Sequence, residues 1–348
     1  MKLKQILKKK LMLAILKSSN RKNPFNIDKA DNFQLLDSAG ENMTDSHYFS
    51  AHNQSGESFF FRYAKRSNDT IEVWFCLKNS DGAIYVNNQE LFQSKHCPAS
   101  VKCITPGQSI NLTFTGNVVL TQKGENDVLS LDKTSIPVKC EAHFQASMPP
   151  FDFTTGLDPT YIAEALSKER WTKTFWNNLR TNRQVHYEQA GVIELTIEMN
   201  NQKQVIVFSA MRDHSFGYRD WNYMNRHIWL MVIFEDGEIL NLNMVDYPHM
   251  RNLMTGYQSV NGIHTSLKAN SNLKELGKDG HVPETVIAPL TINQQEVELC
   301  GQREFAIDFS FEQGKYHIFE GVGTYTMNNR RGRGILEFGF NSDISRWK

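Results

Sequence analysis

The chain has 348 residues, with 38 Lys and Arg balancing 38 Asp and Glu, a hydrophobic fraction of 40% and 11% aromatics, which excludes simple disorder and suits a packed core. The zero net charge conceals a division: residues 1–22 carry eight bases and no acid, leaving 30 bases against 38 acids in the remainder. That mildly acidic body argues against a nucleic-acid partner, which needs broad phosphate neutralisation.

The first 44 residues form a basic segment in which partial disorder is expected. Within it Leu3, Ile6, Leu7, Leu11, Ala14 and Ile15 recur at helical spacing among lysines. Residues 2–17 therefore read either as an amphipathic targeting or membrane-surface helix or as a poorly ordered solubilising end. No run approaches the roughly 20 apolar residues of a membrane span. The expected compartment is the cytoplasm, with peripheral membrane contact through residues 1–22 as an open alternative.

A first β domain is expected over residues 45–150. Ile71, Val73, Phe75 and Leu77 alternate onto one face, Asp81-Gly82 marks a turn, and further short runs lie at 110–115, 118–120, 135–138 and 141–147. Residues 151–185 form a helical linker opened by Asp158-Pro159, an N-cap followed by proline in the first helical position. Strands resume over 186–348, the second expected domain. Here Ile193, Leu195, Ile197 and Met199 alternate, residues 200–203 turn the chain, and Asp236-Gly237 signals a hairpin. Without βαβ alternation a parallel nucleotide-binding fold is excluded. The fold class is mainly β, with two consecutive antiparallel barrel or sandwich domains.

Chemical signatures are few. Cys76, Cys97, Cys103, Cys140 and Cys300 include no CxxC pair, so neither a disulfide framework nor a zinc site is expected. Phosphate loops, dinucleotide fingerprints, HExxH and a nucleophile elbow do not occur. Gly321-Val322-Gly323 sits in a strand pattern and reads as close backbone packing. The outstanding run is Met211-Arg212-Asp213-His214-Ser215-Phe216-Gly217-Tyr218-Arg219-Asp220-Trp221. An Asp213-His214-Ser215 triad is excluded, because neighbours in an extended chain point to opposite faces. Arg212 and His214 would share one face, Asp213 and Ser215 the other. The run reads either as a buried Arg-Asp network or as a ligand site. Upstream, His186-Tyr187-Glu188-Gln189 adds Glu188, either a general acid in an apolar pocket or an ion-pair partner for an arginine.

Arg212 to Trp221 resembles the R-D-[HR]-S-W-G-x-R-D-W signature of the lipocalin-like two-domain group around carotenoid 1,2-hydratase and fungal Diels–Alderases, with Phe216 in place of tryptophan. Gly332-Arg333-Gly334-Ile335-Leu336-Glu337-Phe338 looks like its closing strand. Residues from about 45 to 340 also look like the amino-terminal region of animal phosphoenolpyruvate synthase-like proteins, whose catalytic domains this chain does not carry. What the resemblance implies is two calycin-like domains, a pocket for a hydrophobic small molecule, and chemistry without cofactor or metal. Asp213, His214 and Glu188 are the catalytic candidates; Arg212, Arg219, Asp220, Trp221 and Tyr187 are the ligand-binding ones. The expected function is binding or cofactor-independent hydration, isomerisation or cyclisation of that molecule. The alternative is a non-catalytic partner module related to the synthase-like proteins.

Overall fold

Period-two alternation sets most of the backbone into strands, and the computed structural model describes them over residues 3–22, 24–35, 40–87, 90–123, 128–181, 184–268, 271–292 and 294–347. Two units result: residues 26–152 with 184–219, and residues 1–25 with 153–183 and 220–348. The chain opens with two helices, α1 (Leu3–Lys22) in the latter unit and α2 (Ile27–Asp31) in the former.

The unit containing α2 is a closed antiparallel barrel. Its strands are β1 (Met43–His52), β2 (Ser58–Arg66), β3 (Thr70–Lys78), β4 (Ile84–Val86), β5 (Glu90–Gln93), β6 (Ala99–Thr105), β7 (Ser109–Lys123), β8 (Leu129–Ala146), β9 (Phe151–Asp152), β10 (Gln184–Met199) and β11 (Gln202–Tyr218). Eight follow in the order β11-β1-β2-β3-β4-β7-β8-β10, and β10 pairs back onto β11 to complete the ring. Strands β5, β6 and β9 lie against β3, β7 and β10. The inward positions are filled by Phe49, Phe59, Phe61, Phe75, Phe114, Phe144 and Phe208 with Ile193 and Leu195. Each such side chain removed from water contributes about 1.5–3 kcal/mol.

Two expectations change here. The second domain does not begin at residue 186: β10 and β11 belong to the first barrel, and Arg212 to Tyr218 lie on β11 within it. The physical reason is edge satisfaction. Without this hairpin, β1 and β8 would each expose an unpaired ladder; β11 covers the one and β10 the other. The N-terminal segment, expected to be partly disordered, instead supplies α1 and α2, while residues 36–39 lie outside the described ones.

The other unit pairs helices with one open sheet. Asp158 accepts from Thr160 N at 2.8 Å and caps α3 (Pro159–Lys168), which is followed by α4 (Lys173–Thr181). The buried face of α1 brings Met12, with Leu13 and Leu16, onto Ala163, Leu166 and Phe175. The strands are β12 (Arg226–Phe234), β13 (Ile239–Tyr247), β14 (Met250–Val260), β15 (Ile263–Leu267), β16 (Thr285–Ile292), β17 (Gln295–Phe311), β18 (Tyr316–Met327) and β19 (Arg330–Asn341). They run in the order β15-β14-β13-β12-β19-β18-β17-β16, all antiparallel, as a curled half-barrel. Gly237, with φ of 84°, makes the β12–β13 turn the sequence signals. No helix among the described residues is long and apolar enough to cross a membrane.

Candidate functional site

The β10–β11 register decides which signature residues meet. Tyr187 lies opposite His214, Glu188 opposite Asp213, Gln189 opposite Arg212 and His186 opposite Ser215. Directly opposed residues share a face and neighbours alternate. Tyr187, Gln189, Arg212 and His214 therefore project with the barrel core, whereas His186, Glu188, Asp213 and Ser215 share the outer face. The three catalytic candidates are split: His214 faces in, Asp213 and Glu188 face out.

Inside, a closed polar network ties α2 to the barrel end. Arg212 donates from Nη1 and Nη2 to the two Asp31 oxygens at 2.8 and 3.0 Å, and from Nε to Gln189 at 2.9 Å. Gly107 N also donates to Asp31 at 2.6 Å. Burial would raise the Asp31 pKa, but the Arg212 fork outweighs it and holds the carboxyl below the usual range. The Tyr187 hydroxyl donates to Asp31 and lies 2.6 Å from His214 Nδ1, while His214 Nε2 lies 2.8 Å from Asp45. Burial holds His214 down to about 3, and burial with the neighbouring His214 does the same to His47, whose ring stacks on it at 3.8 Å.

Proton bookkeeping follows from these contacts. With Tyr187 donating to Asp31, neutral His214 donates from Nδ1 to the tyrosine oxygen. The proton between His214 Nε2 and Asp45 then resides on Asp45, a carboxyl that burial raises. Arg212 and His214, at 1% and 0% exposure, thus find their polar partners within the barrel.

The outer face is different. His186 Nε2 hydrogen-bonds Asp213 Oδ2, and Glu188 lies beside them, the three donor atoms all within 4.8 Å of one another. Burial opposes protonation of His186, but Asp213 and then Glu188 outweigh it and lift the imidazole above its ordinary value. The His186 side chain is 33% exposed and that of Asp213 12%, whereas Glu188 is buried. This is an imidazole whose charged form is favoured, held by a carboxylate and open to solvent on one side. The sequence placed His186 in the right cluster but gave it no role. Its i, i+2 spacing from Glu188 on a strand was the available signal.

The remaining candidates sit elsewhere. Arg219 donates to Gln184 at 2.9 Å and Ser215 at 3.2 Å, and its backbone N bonds Asn42, bracing the end of β11. Asp220 caps the single turn at Trp221–Tyr223 by accepting from Tyr223 N at 3.2 Å. Trp221 is buried in the open-sheet unit against Phe311 and Tyr316, with ring centroids 4.8 and 5.4 Å away. There His227 bridges Tyr316, at 2.6 Å, and Glu337, at 2.5 Å. Glu337 is the acid of the closing-strand motif, so this Tyr-His-Glu cluster joins the two quoted motifs without having been anticipated.

Among the described residues two trios could present metal-ligand atoms: Asp45, His47 and His214, and His186, Glu188 and Asp213. In the inner trio the stacked rings run their in-plane lone pairs side by side, an arrangement poorly suited to a shared ion. The outer trio offers a mixed N,O donor set of the kind that binds divalent metals.

The fold is shared with solved structures. A protein assigned to AttH from Nitrosomonas europaea superposes with a TM-score of 0.52 and 10% identity, covering 85% of this chain and 92% of that one. Kievitone hydratase from Nectria haematococca superposes with a TM-score of 0.50 and 9% identity, covering 92% of this chain and 94% of that one. At such identities the likeness establishes the two-unit lipocalin-like fold alone. Nothing found supports the synthase-like resemblance, and among curated proteins none matches the chain. One family model spans residues 28–342, nearly all of both units, and the chain accordingly belongs to the family described as "Domain of unknown function (DUF7064)".

Proposed function

We propose that the chain is a cofactor-independent enzyme that moves a proton to or from a hydrophobic small molecule, as a hydratase or isomerase does, with His186 and Asp213 as its acid–base pair. The observation that carries this reading is the His186–Asp213 hydrogen bond on the outer barrel face, beside Glu188 and one third exposed at the imidazole. A histidine raised from its usual range by a neighbouring carboxylate keeps its proton to higher pH, which suits a general acid, and such catalysis contributes typically 10²–10⁴-fold. The imidazolium would protonate an alkene carbon or an enone oxygen, and the adjacent carboxylates would stabilise the developing cation. The now neutral imidazole then takes back one proton, either from a water as it adds to that cation or from a neighbouring carbon, which returns the pair to its resting state. His214 belongs to the inner network that fixes the barrel end and feels Asp213 and His186 electrostatically. Shared architecture with a protein whose name is a hydratase supports the reaction class.

The test is incubation of purified protein with a panel of isoprenoid alkenes and enones in ¹⁸O-labelled water, followed by mass spectrometry. Incorporation of label or an isomerised product, lost in His186→Gln, supports the proposal. Recovery of every panel member unchanged, with one of them bound stoichiometrically, would make the chain a carrier instead.

A further inference from the structure

Helix α1 is apolar on two faces. One is accounted for: Met12, Leu13 and Leu16 pack on α3 and α4, Lys9 pairs with Glu164 at 3.1 Å, and Lys8 donates to Ser167 O and Glu169 O while lying 4.9 Å over the Trp171 ring. These contacts fix the rotation of the helix about its axis. The opposite face carries Leu3, Leu7, Leu11 and Ile15, at 74%, 59%, 54% and 41% exposure. At about 100° per residue they fall within an arc of about 120°, with exposed Ala14 among them. Exposed Lys10 and Lys17 border the arc on one side, and exposed Lys4 lies within it toward the other.

We propose that this face of α1 seats the protein on an anionic phospholipid surface. Four large aliphatics in a row on one docked helix are not scattered surface leucines; an uncovered stripe of this kind marks an interaction site. Charge selects the occupant. Residues 1–22 hold eight bases and no acid, against a body with an excess of acids, so net positive charge is concentrated in the segment that carries the stripe. Lysines at the border of an apolar stripe suit a helix lying in the plane of a bilayer, where the stems follow the acyl boundary and the ammonium groups reach anionic headgroups. A second copy of the chain would bring the same lysine borders face to face.

The experiment is flotation of the full chain with vesicles of phosphatidylcholine alone and with about 30% phosphatidylserine, alongside the double variant Leu7→Gln/Leu11→Gln. Both positions face away from α3 and α4, so circular dichroism should report an unchanged fold and melting temperature. Flotation with the phosphatidylserine vesicles, reduced by raised salt and at least tenfold weaker in the variant, is the result expected. Equal flotation of both proteins, or none with either lipid, would overturn the proposal. A concentration-dependent dimer by light scattering that the variant abolishes, without flotation, would overturn it in favour of self-association.

Discussion

Asp31→Asn isolates the bond that fastens α2 to the barrel. The substitution keeps size and shape but removes the charge facing the Arg212 guanidinium, which is 1% exposed and receives its counter-charge from the two Asp31 oxygens. Removing one partner of a buried, hydrogen-bonded ion pair costs about 3–5 kcal/mol, chiefly because the other charge stays buried. In a unit of this size each kcal/mol lowers Tm by about 2–4 °C, so a fall of at least about 6 °C is expected by circular dichroism. The double variant Asp31→Leu/Arg212→Met should be less destabilised than the sum of its single variants, the coupling expected of groups in contact. A change below about 1 °C in Asp31→Asn, or strict additivity in the double variant, would refute the assignment of Asp31 as the counter-charge.

Other outcomes follow from the same geometry. His47 and His214 are held at about 3 in the fold, against about 6.5 when unfolded, so the unfolded chain binds more protons between those values. Stability should fall as pH drops below about 6.5, by about 1.4 kcal/mol per unit for each histidine; Asp45 works in the opposite sense. Urea titrations at pH 7 and 5 check this, and a flat profile would contradict it. In Gly334→Ala the new methyl would meet Met231 O at 1.8 Å across the β12–β19 pair, so a loss of about 3 kcal/mol or insolubility is expected in expression and melting assays. Elemental analysis of protein purified without chelator should find far less than one divalent metal per chain if His186 and Asp213 work as an acid–base pair. Stoichiometric zinc would replace the acid–base reading with a Lewis-acid one.

Strand positions were legible because alternation is local. Ile71 to Leu77, the turn after Met199 and the Asp236-Gly237 hairpin all form where the pattern puts them. Strand length was less legible: the runs expected at 110–115 and 118–120 are one long strand, and those at 135–138 and 141–147 are another, with Gly116 and residues 139–140 inside the β7–β8 ladder. Partner choice was not legible, since alternation fixes which face a residue takes and not which strand lies beside it. That is why β10 and β11 were assigned to the wrong barrel. The split of Arg212 and His214 from Asp213 followed from strand geometry alone. Recruitment of Asp31 from over 180 residues away left no local trace, because an Asp in a short helix that also holds Asp28 looks like any solvent-facing acid.

The acid–base claim is tested most directly by the kcat/KM of the wild type, His186→Gln and Asp213→Asn on the first panel compound the protein converts. The proposed pair requires both variants to lose at least about a hundredfold, with the wild-type profile falling as pH rises through a value above about 6.5. Full turnover in both variants, with unaltered folding, would contradict it.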